Sequence, residues 1–80
     1  MELVFFTRGH CPLCDRLELM LAPRVKRAGA VLVKRNVDDD PGWEAQFGRR
    51  IPVLMLGDEV LIEGRPSEAQ VNEAMTRLGL

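Results

Sequence analysis

The hydrophobic positions of the chain follow two rhythms. Glu2 to Thr7, "ELVFFT", packs aliphatic, β-branched and aromatic residues into a short run bounded by Gly9, as a buried strand does. From Pro12 the period lengthens. Leu13, Leu17, Met20, Leu21, Val25 and Ala28 recur three or four apart, like one face of a helix. Pro12 suits the first helical position, where its missing N–H costs nothing, and Gly29 ends the segment. Pro23 conflicts with this pattern, because a proline inside a helix removes a backbone bond and meets the carbonyl four residues back. The pattern therefore predicts a kink or break between Leu19 and Pro23.

Ala30 to Val37, "AVLVKRNV", predicts a second strand. Asp40 as cap and Pro41 in the first turn then open a short helix that carries Trp43 and Phe47 and stops at Gly48. "IPVLML" predicts a third strand beginning beside Pro52, "GDE" a tight hairpin turn, and "VLIE" the returning strand. Ser67 and Gln70 form a capping box for a last helix, with Val71, Ala74, Met75 and Leu78 on its apolar face and Gly79 at its end.

The order is β-α-β-α-β-β-α, an α/β fold. A βαβ unit makes its two strands parallel with a right-handed crossover, and the later hairpin adds antiparallel strands. The expectation is a single domain over residues 1–80, with a four-stranded mixed sheet and helices on both faces. Active groups in such sheets gather at the carboxyl ends of the parallel strands, and Cys11 lies just after the first one.

Composition narrows the function. Of the 80 residues 46% are hydrophobic and 29% charged, ordinary for a globular domain. The net charge is −1 with acids and bases interleaved, which offers no footprint for nucleic acid or an anionic membrane. No apolar run approaches the roughly 20 residues of a membrane helix. "MELVFFTRGH" has neither the basic start nor the apolar stretch of a signal peptide, so a cytoplasmic location is expected. Thiols are kept reduced there, and a cysteine pair is more often catalytic or metal-binding than a staple.

The chain has two cysteines, Cys11 and Cys14, in "TRGHCPLCDRLELML". With Cys11 as N-cap and Pro12 as the first helical residue, Cys14 falls on the same side of the first turn, within bonding reach. Unpaired N–H groups and the helix dipole favour negative charge on Cys11, and Arg8 stands three residues upstream. Cys14 is expected to be the more buried thiol. That asymmetry suits exchange, in which Cys11 attacks a disulfide and Cys14 resolves the mixed disulfide. Structural zinc needs four ligands, and His10 and Asp15 would crowd all of them into six residues. Two structural thiols, or a metal shared between two chains, stay open as alternatives. His10 reads as a solvent-facing loop residue, Asp15 as a first-turn acid, Trp43 as cover for a core edge, and Asp38 to Asp40 as a solvated turn with a cap.

At these residues the chain resembles the glutaredoxin family, within the thioredoxin fold, and more narrowly the small glutaredoxin-like proteins. The resemblance spans essentially the whole chain. It rests on "CPLC", which differs from the common "CPYC" by Leu13 for Tyr, on "RRIPVLML", and on "LIEG". It implies a thiol–disulfide oxidoreductase with Cys11 as nucleophile and Cys14 as resolving thiol. Pro12 and Leu13 would then lie at the substrate surface. Pro52 would be a cis-proline facing the cysteines, with the N–H and C=O of Ile51 presented to an extended substrate. Arg8 matches a basic position before the nucleophile. Arg49 matches one that meets the glycine carboxylate of glutathione.

The chain departs from the family in two places. Arg50-Ile51-Pro52 replaces "TVP". "EGRPSE" replaces the paired glycines, small residue and Asp that grip the γ-glutamyl end of glutathione; Gly64 is retained, and Ser67 and Glu68 open the last helix. The resemblance further implies a monomer with no permanently bound cofactor, acting on a disulfide-containing protein or small molecule. Its electron donor would be glutathione, against which the rewritten segment counts, or a thioredoxin-type reductase. Two other classes are an iron–sulfur module shared between chains and a fold-only interaction domain.

Overall fold

The computed structural model describes all 80 residues. The elements are β1 (Glu2–Thr7), α1 (Pro12–Arg27), β2 (Val31–Asn36), a 3₁₀ turn (Val37–Asp39), α2 (Pro41–Phe47), β3 (Val53–Leu56), β4 (Glu59–Glu63) and α3 (Glu68–Arg77). The sheet order is β2-β1-β3-β4. β1 runs parallel to β2 and antiparallel to β3, and β4 returns antiparallel to β3. This is the mixed four-stranded sheet that the order of elements predicts.

Alternation along β1 divides the core. Leu3 and Phe5 face one side, where Leu54 and Ile62 join them beneath α1 (Cys14, Leu17, Leu21, Val25) and α3 (Val71, Ala74, Met75). Phe6 faces the other side and packs with Val53, Val37 and Phe47 of α2. The Phe6 ring stacks on Phe47 at 4.2 Å between centroids and meets Trp43 edge-on at 5.7 Å. Trp43 thus covers the edge of this smaller core, with Arg35 over its outer face.

The two long helices end alike. Past α1, the Gly29 N–H donates to the Lys26 carbonyl and Ala30 to Val25; past α3, Gly79 donates to Thr76 and Leu80 to Met75. Both glycines sit at positive φ, as this closure requires. The hairpin turns at Gly57-Asp58, where only Gly57 has positive φ, as a type II′ turn demands.

Three expectations need correction. α1 runs unbroken through Pro23. Leu21 and Val25 on either side are buried in the main core, whereas Pro23 and Leu19 face solvent. Packing therefore holds the helix, and water can satisfy the carbonyl that Pro23 leaves unbonded. β2 starts after Ala30 and ends at Asn36, whose side chain accepts from the Asp38 N–H at 2.8 Å and turns Val37 into the 3₁₀ turn. β3 begins at Val53, because Pro52 has no N–H and the Ile51 N–H is turned away to Phe47.

Because Pro23 sits in an exposed helix interior, Pro23→Ala restores a backbone bond and relieves the ring contact. Urea unfolding should show a gain of about 1–3 kcal/mol, the proline penalty less the unfolded-state entropy it withdraws.

Candidate active site

α1 begins where β1 ends, and its first turn carries both cysteines. Cys11 is the N-cap, at φ −114° and ψ 96°, with Pro12 as the first helical residue. The Cys11 carbonyl accepts the first helical bond from the Asp15 N–H at 3.0 Å. Its Sγ accepts from the Cys14 N–H at 3.1 Å. The two sulfurs lie at disulfide-bonding distance, with Cα atoms 5.2 Å apart. Cys14 is 1% exposed within the main core, and Cys11 is half-buried at its rim. The expected asymmetry is present. The stripe that buries Leu17 and Leu21 also turns Cys14 inward, and the cap position leaves Cys11 outward. The Cys14 N–H and the open first turn are placed to donate to a thiolate on Cys11.

Pairing of Phe6 with Val53 brings the segment before β3 level with the end of β1. The Ile51–Pro52 peptide there is cis. Pro52 is buried, and Ile51 is half-buried against both cores, the larger of which Cys11 also touches. The Ile51 N–H donates to the Phe47 carbonyl at 3.1 Å, whereas the Ile51 carbonyl accepts no hydrogen bond. Of the two backbone groups expected to meet a substrate, one is free. The cause is the tight exit from α2, in which Phe47 also accepts from Arg50 at 2.8 Å. Gly64, at φ +72°, donates its N–H to the Arg50 carbonyl at 3.1 Å and to the Pro52 carbonyl at 2.9 Å. It ties the end of β4 to the proline segment.

The arginines divide by their partners. Arg8 directs Nε to Asp38 at 3.1 Å, Nη2 to Glu44, and Nη1 to the Gly48 carbonyl at 3.5 Å. Hydrogen bonds donated to Glu44 and then to Asp38 raise its pKa from the already high guanidinium value. Its charge is spent on two carboxylates beside α2, and it straps the segment after β1 to that face. Arg50 pairs with Glu63 at 2.7 Å and lies over the Phe47 ring. Arg49 is exposed and has no ion-pair partner.

The remaining predicted positions are also placed. Pro12 is exposed and Leu13 half-buried beside the disulfide. His10 is exposed at positive φ, and Asp15 is exposed in the first turn. Ser67 is closed in its capping box: its Oγ accepts from the Gln70 N–H and its N–H donates to the Gln70 side chain. Asp40 caps α2 through Gly42 and Trp43. Sequence reasoning did not find Asp38 and Glu44 as partners of Arg8, or the Phe47 carbonyl as partner of Ile51. No local signal marks Asp38 and Glu44, which Arg8 reaches across 30 and 36 residues, whereas the Ile51 to Phe47 bond closes a single turn. No group of three or more His, Cys, Asp or Glu side chains is placed to hold a metal ion, and no helix is long and apolar enough to cross a membrane.

A family model described as Glutaredoxin-like domain (DUF836) matches residues 2–76. A protein of Archaeoglobus fulgidus described as a probable thioredoxin is 30% identical over 76 residues, covering 91% of this chain and 84% of its own. Among solved structures, the target protein XcR50 from X. campestris superimposes with a TM-score of 0.74 at 28% identity, over 94% of this chain and 96% of that one. Thioredoxin 1 of Thermosipho africanus does so with a TM-score of 0.69 at 17% identity, over 98% and 93%. The architecture is the thioredoxin fold.

The unequal burial of the cysteines has a direct readout. After reduction, iodoacetamide at neutral pH should alkylate Cys11 at least about tenfold faster than Cys14, as peptide mass spectrometry would report, because reaction needs an accessible thiolate.

Proposed function

For a chain that belongs to the Glutaredoxin-like domain family, we propose a dithiol–disulfide oxidoreductase working through Cys11 and Cys14. The observation that carries this reading is the unequal pair itself, one sulfur capping a helix at the surface and the other buried within its reach. In the reduced protein, the Cys11 thiolate attacks one sulfur of a substrate disulfide. A mixed disulfide forms and the departing sulfur leaves as a thiolate. Cys14 gives its proton to that thiolate and attacks the Cys11 sulfur. This closes the internal disulfide and expels the second substrate sulfur as a thiolate, which takes from water the proton that Cys11 had given up. Two electrons pass from the cysteine pair to the substrate, which leaves as two thiols. The Cys14 attack is intramolecular, so the second step needs no further encounter.

The free Ile51 carbonyl accepts one backbone N–H from an extended substrate segment beside Cys11. A reducing compartment such as the cytoplasm supplies the electrons that restore the thiols. Glutathione is poorly served as their donor. The Ile51 N–H is bonded to Phe47, Ser67 is closed in its cap and Arg8 is paired with carboxylates, so that of these positions Arg49 alone is free. A dithiol donor needs no such grip, because its second thiol resolves the mixed disulfide from within.

Two results test this reading. In dithiothreitol-driven insulin reduction, Cys11→Ser should lose essentially all activity, and Cys14→Ser should accumulate a mixed disulfide at Cys11 visible by mass. Activity unchanged by either substitution would rule the mechanism out. For the donor, glutathione and 2-mercaptoethanol should reduce the oxidised protein at rates within about threefold of each other per thiolate. A glutathione advantage of about thirtyfold would show a working grip.

A further inference from the structure

Beside the disulfide, a shallow depression lies between α1 and the segment joining β4 to α3. Leu13, Met20 and Pro66 supply its apolar lining, and Arg16 and Arg65 reach it from opposite sides. Both arginines are exposed, and neither has a carboxylate partner or any other hydrogen bond within the chain. No acidic residue lines the depression. Arg8 and Arg50 differ in being held by carboxylates, and Arg49, also unpaired, lies outside this depression. Arg65 and Pro66 also line a larger groove of about 370 Å³ that continues between β4 and α3, where Glu63, Glu73 and Arg77 stand, so the acidic residues of a partner belong at the depression and not beyond it. An extended segment leaving Cys11 over Leu13 therefore passes between two unneutralised guanidinium groups before it enters that groove.

We propose that Arg16 and Arg65 select the substrate. The partner is a protein segment that carries acidic residues next to its reactive cysteine and an apolar side chain that seats against Leu13 and Pro66. This rests on the redox reading above. Carboxylates on the partner supply the charge that the depression lacks, and two guanidinium groups on separate elements accept them with little reorganisation. Such complementarity acts chiefly on encounter, so it appears in the rate and is screened by salt.

The test uses two peptides alike in length and apolar content, each with one cysteine in a mixed disulfide with 2-mercaptoethanol. One has Asp and Glu flanking the cysteine, the other Lys and Arg. Each rate with the protein is divided by its rate with dithiothreitol alone, which removes the intrinsic effect of charge on exchange. At about 10 mM salt the acidic peptide should be reduced about tenfold faster, and at about 0.5 M the ratio should fall to about two or less. The double substitution Arg16→Gln with Arg65→Gln should bring the low-salt ratio near one. A ratio of one or below in the unsubstituted protein, or a preference that survives the double substitution, overturns the proposal and leaves the oxidoreductase intact. Failure to reduce either peptide overturns both.

Discussion

A helix that crosses between parallel strands must start at the carboxyl end of the first one, and in this chain that start falls on Cys11. Pro12 fixes the first helical residue and leaves Cys11 as the cap. The apolar stripe of Leu17, Leu21 and Val25 then fixes how the helix rotates against the sheet. With both set, the difference between the cysteines follows. Three residues separate a cap at the rim from a side chain in the core. The unequal burial of the two sulfurs is thus a consequence of crossover geometry and core packing.

The opposite wall of the site depends on Phe47. Its ring is buried against Phe6 in the smaller core, and its carbonyl accepts from both Arg50 and Ile51. Arg50 reaches Glu63, and the Gly64 N–H bridges the carbonyls of Arg50 and Pro52. The cis-proline segment is therefore held from α2 on one side and from the end of β4 on the other. The same bonds that hold it also withdraw the Ile51 N–H from any substrate. The Ile51 carbonyl is left without a hydrogen bond.

Local patterns were enough to read the elements, the cap at Cys11 and the capping box at Ser67. Each depends on residues within one turn or one strand. Pro23 misled because helix propensity is a local quantity, while the burial of Leu21 and Val25 that overrides it is tertiary. Arg8 was read from its distance to Cys11 along the chain. In the fold its guanidinium is bonded to Asp38 and Glu44, which only the packing of α2 and the 3₁₀ turn brings near. The slip in pairing between Leu54 and Met55 was likewise illegible, since it comes from pairing with another strand.

A disulfide that spans so short a ring adds little to stability, and the proposed reaction requires it to open and close. The most direct test is the reduction potential of the Cys11–Cys14 pair, found by equilibrating the protein against dithiol buffers and counting free thiols. A value between about −120 and −270 mV, the range of catalytic dithiols, is predicted. A value below about −300 mV, where structural disulfides lie, would contradict the account.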